Sequence, residues 1–426
     1  MLKPLNWRRF ALLALLGLLF SWLISCTSGT PPTASREIEF WTMQLQPQFT
    51  PYFNKLISTF EQENQGVKVR WIDVPWEAME SKILTAVSAN TAPDVVNLNP
   101  NFASQLASRN AWLDLTNKVS PQVKQQYLPN IWKASTLGEI SFGIPWYLTT
   151  QILIYNQDLL KQAGISQPPK TYAELADVAA KIKDKTGKYA LFLTFVPGDS
   201  GEVLESFVQM GVSLVDAQGK AAFNTPAGIK ACQYWVDLYQ KGLLPPEVLT
   251  QGHRHAIELY QAGEIALLSA GVEFFKTIET NAPSIAQVSA AAPQLTGATG
   301  KRNVAVMNLV IPRATDAPNE ALKFALFVSN TQNQLAFAKA ANVLPSTVEA
   351  VKQYREELEQ AKEKNSLNQA LKVSANQLQE AEILVPNLKN INQLQKAVYE
   401  NLQAAMLKEK TVEQAVKDAA EEWNNL

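Results

Sequence analysis

Cysteine and histidine are nearly absent from this chain, with two of each in 426 residues. So few cannot supply a disulfide framework or a Cys/His metal cluster, and stability has to come from packing. Catalytic signatures are missing as well. The sequence has no GxSxG elbow, no HExxH, no P-loop and no glycine-rich dinucleotide turn, and its carboxylate pairs have no spacing that singles out a glycosidase couple. A lipid-anchored hydrolase is therefore the weaker of the function classes open to it. The two histidines, His253 and His255 in QGHRHAIEL, alternate at the start of a helical pattern, where alternate residues do not share a face, so they read as a surface turn rather than a metal pair. No metal or cofactor is expected. A strong charge of either sign is lacking too: 38 basic against 39 acidic side chains leave a formal −1, interspersed along the chain, which excludes a nucleic-acid footprint.

What is present begins with one apolar run, Phe10 to Ile24, behind Lys3, Arg8 and Arg9. This is the anatomy of an export signal; at under the roughly 20 residues a spanning helix needs, it stops at Ser25 and Cys26. Leu23-Ile24-Ser25-Cys26 resembles a bacterial lipobox, which implies a signal over residues 1–25 and a lipidated Cys26 at the mature N-terminus. Two or more acyl chains on one residue hold a protein firmly to a membrane. Residues 26–35, rich in Ser, Thr and Pro, then form a flexible tether. Loss of the three basic signal residues takes the formal charge from −1 to −4. Cys232 is left without a partner. It sits in a helical stretch opened by Thr225 and Pro226, on one face with Ile229, Val236 and Tyr239, and reads as a core thiol.

The roughly 390 residues from 36 to 426 exceed what one hydrophobic core usually organises, so two lobes are expected. Strands alternate with helices: residues 38–41, 67–72 and 94–98 form a first βαβ series, and 151–155, 189–193, 264–268 and 288–292 a second. Thr171 with Glu174, and Thr411 with Gln414, are spaced as capping boxes. The polar stretch from Tyr354 to Gln379 keeps leucines at helical spacing and reads as a solvated helix surface.

Five segments in order carry a family resemblance: IEFWTM; FEQENQGVKVRWIDVPWEAMESKILTAVSANTAPDVVNL; GIPWYLTTQILIYNQDLLKQAGISQPPKTYAEL; YQAGEIALLSAG; and VAVMNLVIPRATDAPNEALKFALFVSNTQNQLAFAKAANVLPST. Over nearly all of the mature chain, the sequence resembles the extracellular solute-binding proteins of bacterial ABC importers, a family that includes maltose-binding and glycerol-phosphate-binding proteins. The resemblance implies an α/β, two-lobed periplasmic-binding-protein fold of type II, with hinge-linked lobes and a central ligand cleft. Lobe one would hold residues 36–148 and 309–345, and lobe two 149–308 and 346–426. It also implies a monomer that captures a small-molecule carbohydrate, closes over it and delivers it to permease subunits, or a sensor that has lost transport.

Ligand sites in open α/β sheets lie beyond the carboxyl ends of strands. On that rule, and on the family's hinge crossings, the expected ligand-binding residues are Trp41, Gln44, Gln46, Trp76, Asn99, Asn101, Trp146, Tyr147, Thr149, Asp199, Glu273, Asn308 and Asn342. Aromatic rings would cover the C–H faces of a sugar and amides or carboxylates would bond its hydroxyls. Asn and Asp here could equally serve as turn residues, and a tryptophan as core. Glycerol-phosphate binders carry paired tryptophans in the region matching VPGDSGE and an arginine near VPNLKN, both lacking here, and maltose binders place a tryptophan after the position of Pro386-Asn387. A neutral mono- or disaccharide or glycosylated polyol is the expected cargo, with glycerol 3-phosphate or a glycerophosphodiester as the alternative.

Overall fold

The computed structural model describes residues 35–361, 365–385, 388 and 390–426, so the export signal, Cys26, Pro386 and Asn387 lie outside the described residues. Strand β1 (Arg36–Met43) runs parallel between β2 (Val67–Val74) and β3 (Val95–Leu98), with Phe40 opposite both Trp71 and Val95. The helices Thr50–Glu63 and Trp76–Ser88 make the crossovers. The first lays Phe53, Leu56 and Phe60 on the sheet, a helical stripe that matches the spacing of those residues. Because helices cover both faces, β3 is buried at every position, as parallel strands usually are.

Three further strands extend this sheet, with antiparallel pairings along the order β11-β6-β10-β3: β6 (Ile144–Thr150), β10 (Arg302–Val310) and β11 (Leu344–Pro345), giving β11-β6-β10-β3-β1-β2 in all. A two-residue strand, β12 (Ala381–Glu382), pairs with the start of β10, and β4 (Thr136–Leu137) with β5 (Ile140–Ser141) makes a separate hairpin. A second, antiparallel sheet has the order β8 (Leu267–Ala270), β7 (Ile152–Asn156), β9 (Ser289–Pro293).

The expected strand at 189–193 does not form a ladder. Tyr189 N–H donates to Glu264 O at 3.1 Å and Leu267 N–H to Ala190 O at 2.8 Å, but Phe195 N–H then turns to Val248 O at 2.8 Å, so a single parallel bridge remains. The capping residues are in place: Thr171 Oγ1 accepts the Glu174 N–H and Thr411 Oγ1 that of Gln414, each at 3.2 Å. Neither box closes in full. The Glu174 carboxylate returns to Lys170 N–H at 2.7 Å, one residue short of the cap, and the Gln414 amide donates to Asp418 instead.

Buried apolar side chains fall into two clusters, one around β1, β3, Trp146 and Phe324, the other around β7, Trp235, Tyr260, Tyr399 and Trp423. Cys232 belongs to the second, where burial pushes its thiol up to about 12, so it packs as a neutral group. Apart from Ile131 and Leu335, which reach into the second cluster from segments of the first, the chain passes between clusters at Tyr147/Leu148, at Val306/Met307 and at Val343/Leu344. These crossings are neighbours in one sheet: Tyr147 faces Met307 and Pro345, and Leu148 faces Val306 and Leu344. A bulge in β6 lies at the same level: Met307 and Asn308 of β10 pair with Tyr147 and Pro145, leaving Trp146 between them unpaired. The space beside these crossings has walls from both cores.

Candidate ligand-binding site

Three cavities, of about 320, 450 and 860 Å³, share Trp76 as a wall. Trp76 follows Pro75 at the end of β2 and opens its helix, so its ring projects before the helix packs down; it is 43% exposed. Gln44, at φ +54°, accepts the Trp76 N–H on Oε1 at 3.3 Å and so holds the turn that presents the ring. A groove of about 550 Å³ beside Val348 and Arg355 takes its walls from the second core's side only and is not part of this cleft.

The inner cavity, of about 320 Å³, is lined by Asn99, Thr149, Asp199, Glu205 and Asn303 on its polar side and by Ile383, Val385 and Ile391 on its apolar side. The outer one, of about 450 Å³, has Glu80, Arg109 and Asn392 along its rim. The largest is bounded by Tyr147, Thr149, Glu273, Phe274, Phe337 and Asn342.

Two carboxylates from the second core reach this space, and a glycine makes room for each. Asp199 Oδ2 accepts the His253 N–H at 2.7 Å; a Cβ on Gly252 would stand 2.3 Å from Asp199 Oδ1. Glu273 lies over Gly271, where a Cβ would meet both carboxylate oxygens at 2.2 Å. The Glu273 side chain is exposed to solvent, yet the protein mass around it raises its pKa above the ordinary carboxylate value by desolvation, while its own backbone N–H and the nearby His253 pull it back. His253 is not in a surface turn. It begins the helix His253–Gln261, with Nδ1 3.7 Å from Glu202 Oε2; burial would lower its pKa, but the charge and hydrogen bond of Glu202, with Asp199 and Glu273 behind, raise it.

Of the expected site residues, the structure brings Trp76, Asn99, Tyr147, Thr149, Asp199, Glu273 and Asn342 to the cavity walls. Asn99 also caps the helix Pro100–Ala107 by accepting Phe102 N–H at 2.9 Å, and Asn342 ends a helix at φ +55°. Gln44 supports Trp76 without lining a cavity, and exposed Gln46 donates its N–H to Asp73 at 3.0 Å. The Asn101 side chain is outside the described residues.

Three expectations are corrected. Trp41 is 5% exposed because helices cover both faces of β1; its indole N–H donates to Glu39 and the Lys82 amine lies 4.1 Å from the ring centroid. Trp146 is fully buried, stacked on Phe337 at 4.8 Å and 22°. Asn308 is 1% exposed, accepting from Ser135 Oγ at 2.5 Å and donating to Val306 O at 2.8 Å, so it fastens β10 opposite the bulge in β6. All three support the walls from behind.

Glu205 and Asn303 were missed. Glu205 sits in the helix Glu202–Gln209, where Val203, Leu204, Ser206 and Phe207 are also buried, so its acids are not on a solvated face. Charged residues inside an octet buried almost all round are the signal that could have found it. Ile383, Val385 and Ile391 come from the last tenth of the chain, placed here because β12 pairs with β10.

The family model described as "Bacterial extracellular solute-binding protein" matches residues 46–335. A solved structure from Synechococcus sp. MITs9220, named a "putative oligosaccharide periplasmic-binding protein", is 47% identical with a TM-score of 0.86, covering 91% of this chain and 98% of that one. A "putative binding protein" of Brucella abortus (strain 2308) is 24% identical over 74% of this chain and 77% of its own. A solute-binding protein from Thermotoga lettingae TMO, solved with α-D-tagatose, shares the fold at a TM-score of 0.75 and 23% identity, covering 92% and 99% of the two chains.

Proposed function

The chain belongs to the bacterial extracellular solute-binding protein family and has its two-lobed α/β fold, and on that premise we propose that it is the substrate-binding subunit of an ABC importer for a neutral carbohydrate. The observation that carries the proposal is the exposed Trp76 ring sharing its cavities with the Asp199 and Glu273 carboxylates. An aromatic face suits the C–H side of a sugar ring, and ionised carboxylates accept from its hydroxyls. Among the described residues no lysine or arginine lines the inner cavity, and the cleft's cations, Arg109 on the outer cavity and Lys276 on the largest, stand apart from one another, whereas a phosphate calls for several converging on it. Glycerol 3-phosphate is accordingly disfavoured.

The lobes we assign, 36–148 with 309–345 and 149–308 with 346–426, are supported by the two cores and their three adjacent crossings. Ligand touching both walls favours the closed form by its differential affinity, and closure is what a permease can sense. At about 860 Å³ the largest cavity stands near the top of the ~300–1,000 Å³ usual for small-molecule sites, so the cargo extends from a disaccharide to a short oligosaccharide. The name of the Synechococcus protein supports the longer end. The ligand is released unaltered, and the protein works as a monomer fastened to a bacterial membrane through Cys26. Among the described residues no helix is long and apolar enough to cross a membrane.

A thermal-shift screen of residues 36–426 against glucose, sucrose, maltose, raffinose, a glycosylated glycerol and glycerol phosphate tests this function. A ligand at 100 times its dissociation constant adds about 2.7 kcal/mol of stability, so a neutral sugar should raise the melting temperature and be recovered intact. A shift with glycerol phosphate alone, or turnover of any compound, would overturn the proposal. Two variants extend the test. Gly271→Ala should swing the Glu273 carboxylate aside and weaken sugar binding about tenfold by calorimetry, with unfolding stability little changed because only a side-chain end has to move. Cys26→Ser in the full chain should leave the signal uncut or release the protein from membranes, whereas an unlipidated, trimmed wild type would refute the anchor.

A further inference from the structure

Glu205 is the most enclosed acid on the cavity walls, 9% exposed on the floor of the inner cavity. Its Oε1 accepts the Asn303 Nδ2–H at 2.7 Å, while Oε2 is shut from solvent and has no hydrogen-bond partner among the described residues. A carboxylate needs donors on both oxygens to remain charged in such a place. The surroundings offer the opposite. Glu202, one turn back on the same helix, is 5% exposed and spends its own oxygens on the Gln151 amide at 3.0 Å and on His253. Asp199, in the loop before, and Glu273 act on the same His253. From the helix Tyr172–Thr186, Tyr172 gives its hydroxyl to Gln209 Oε1 at 2.7 Å, and from the helix Ile391–Met406, Tyr399 gives its own to Ser200 O at 2.6 Å. The Gln294 amide, the other group near Glu205, donates to Gln151 Oε1 at 2.9 Å. Arg302, beside Asn303 in β10, is turned to Glu380. One histidine thus serves three carboxyl groups, Glu202, Asp199 and Glu273, and Glu205 is not among them.

We propose that Glu205 is a specificity-determining residue of the inner cavity that meets the bound carbohydrate as a neutral carboxylic acid. This rests on the cleft being the sugar site. A neutral carboxyl both donates and accepts, whereas a carboxylate only accepts, so a protonated Glu205 gives the cavity floor a donor for a ligand hydroxyl as well as an acceptor. It also keeps the floor free of a charge that no lysine or arginine balances. Burial, with the Glu202 charge adding to it and the Gln294 amide pulling the other way, pushes the Glu205 pKa up to about 8, so the acid form prevails at neutral pH. The sign follows: the folded protein holds this proton where the unfolded chain has lost it, so folding stability declines as pH rises from the ordinary carboxylate range to about 8, while affinity for a ligand that needs the acid form declines above that value.

The test has a ligand-free and a ligand-bound arm on residues 36–426. In difference infrared spectra, the stretching band of a protonated carboxyl should be present at pH 7, fade by pH 9.5 and be missing in Glu205→Gln. In calorimetry with whichever of glucose, sucrose, maltose and raffinose binds tightest, wild-type affinity should be roughly tenfold lower at pH 9 than at pH 7, as a binding-competent acid of pKa about 8 requires. Glu205→Gln should bring that ratio within about twofold, although His253 still titrates. No protonated band at pH 7, a flat wild-type profile, or an equally steep profile in Glu205→Gln would each overturn the inference while leaving the sugar site intact. Failure of all four sugars to bind at either pH would remove the site itself and the inference with it.

Discussion

Replacing Trp76 with alanine should weaken carbohydrate binding by about 1 to 3 kcal/mol, a factor of roughly 5 to 150, while the unfolding midpoint stays where it is. Both halves follow from its place. The ring walls all three cleft cavities, so any sugar held between the cores meets it; yet 43% of the residue is exposed, so few core contacts are lost with the ring. Gln44, which accepts the Trp76 backbone N–H, is untouched by the change, and the turn should persist. Calorimetry and urea unfolding on the same samples check the pair of expectations. Loss of stability with unchanged affinity would show that the indole packs and does not bind.

Trp146→Ala should behave in the opposite way. The ring is fully buried, stacked on Phe337 and in edge contact with Phe40 at 6.4 Å and Phe53 at 6.0 Å, so removing it opens a cavity at the centre of the first core. Large-to-small changes of this kind cost about 3 to 5 kcal/mol, which urea unfolding would show as a much lower midpoint at a similar slope. Trp146→Phe should cost far less, because it keeps an aromatic ring and deletes a buried indole N–H that has no hydrogen-bond partner among the described residues. A stable, unaltered Trp146→Ala protein would mean that this ring is a wall of the cleft after all.

These two tryptophans show what the sequence makes legible and where it stops. Both follow a strand or lie in one, and both belong to segments shared with the solute-binding family. Position alone says that each is near the cleft. Which way a ring points depends on what covers each face of the strand, and that is a property of the assembled layers. Trp76 escapes because Pro75 ends β2 and the helix begins at the ring itself. The β1 residues Phe40 and Trp41 alternate in direction, yet both are buried, because helices pack on the two sides of that sheet.

Local signals were legible in the same uneven way. Thr171, Thr225 and Thr411 cap helices where their spacing places them, because a cap needs only the next three residues. The return half of each capping box fails where Lys170 N–H or Asp418 competes for the side chain. The segment 189–193 has the composition of a strand but finds a ladder partner for one residue only. Glu205 was hidden because an acid in a helix reads as solvent-facing until the neighbouring elements close around it.

The central claim is that a neutral carbohydrate is held between the two cores against Trp76. A crystal structure of residues 36–426 with the sugar that raises the melting temperature most tests it directly. The account predicts a sugar ring lying flat on the Trp76 indole, with hydroxyls within hydrogen-bond distance of Asp199 and Glu273. A ligand bound outside the cleft, as in the groove beside Val348 and Arg355, would contradict it.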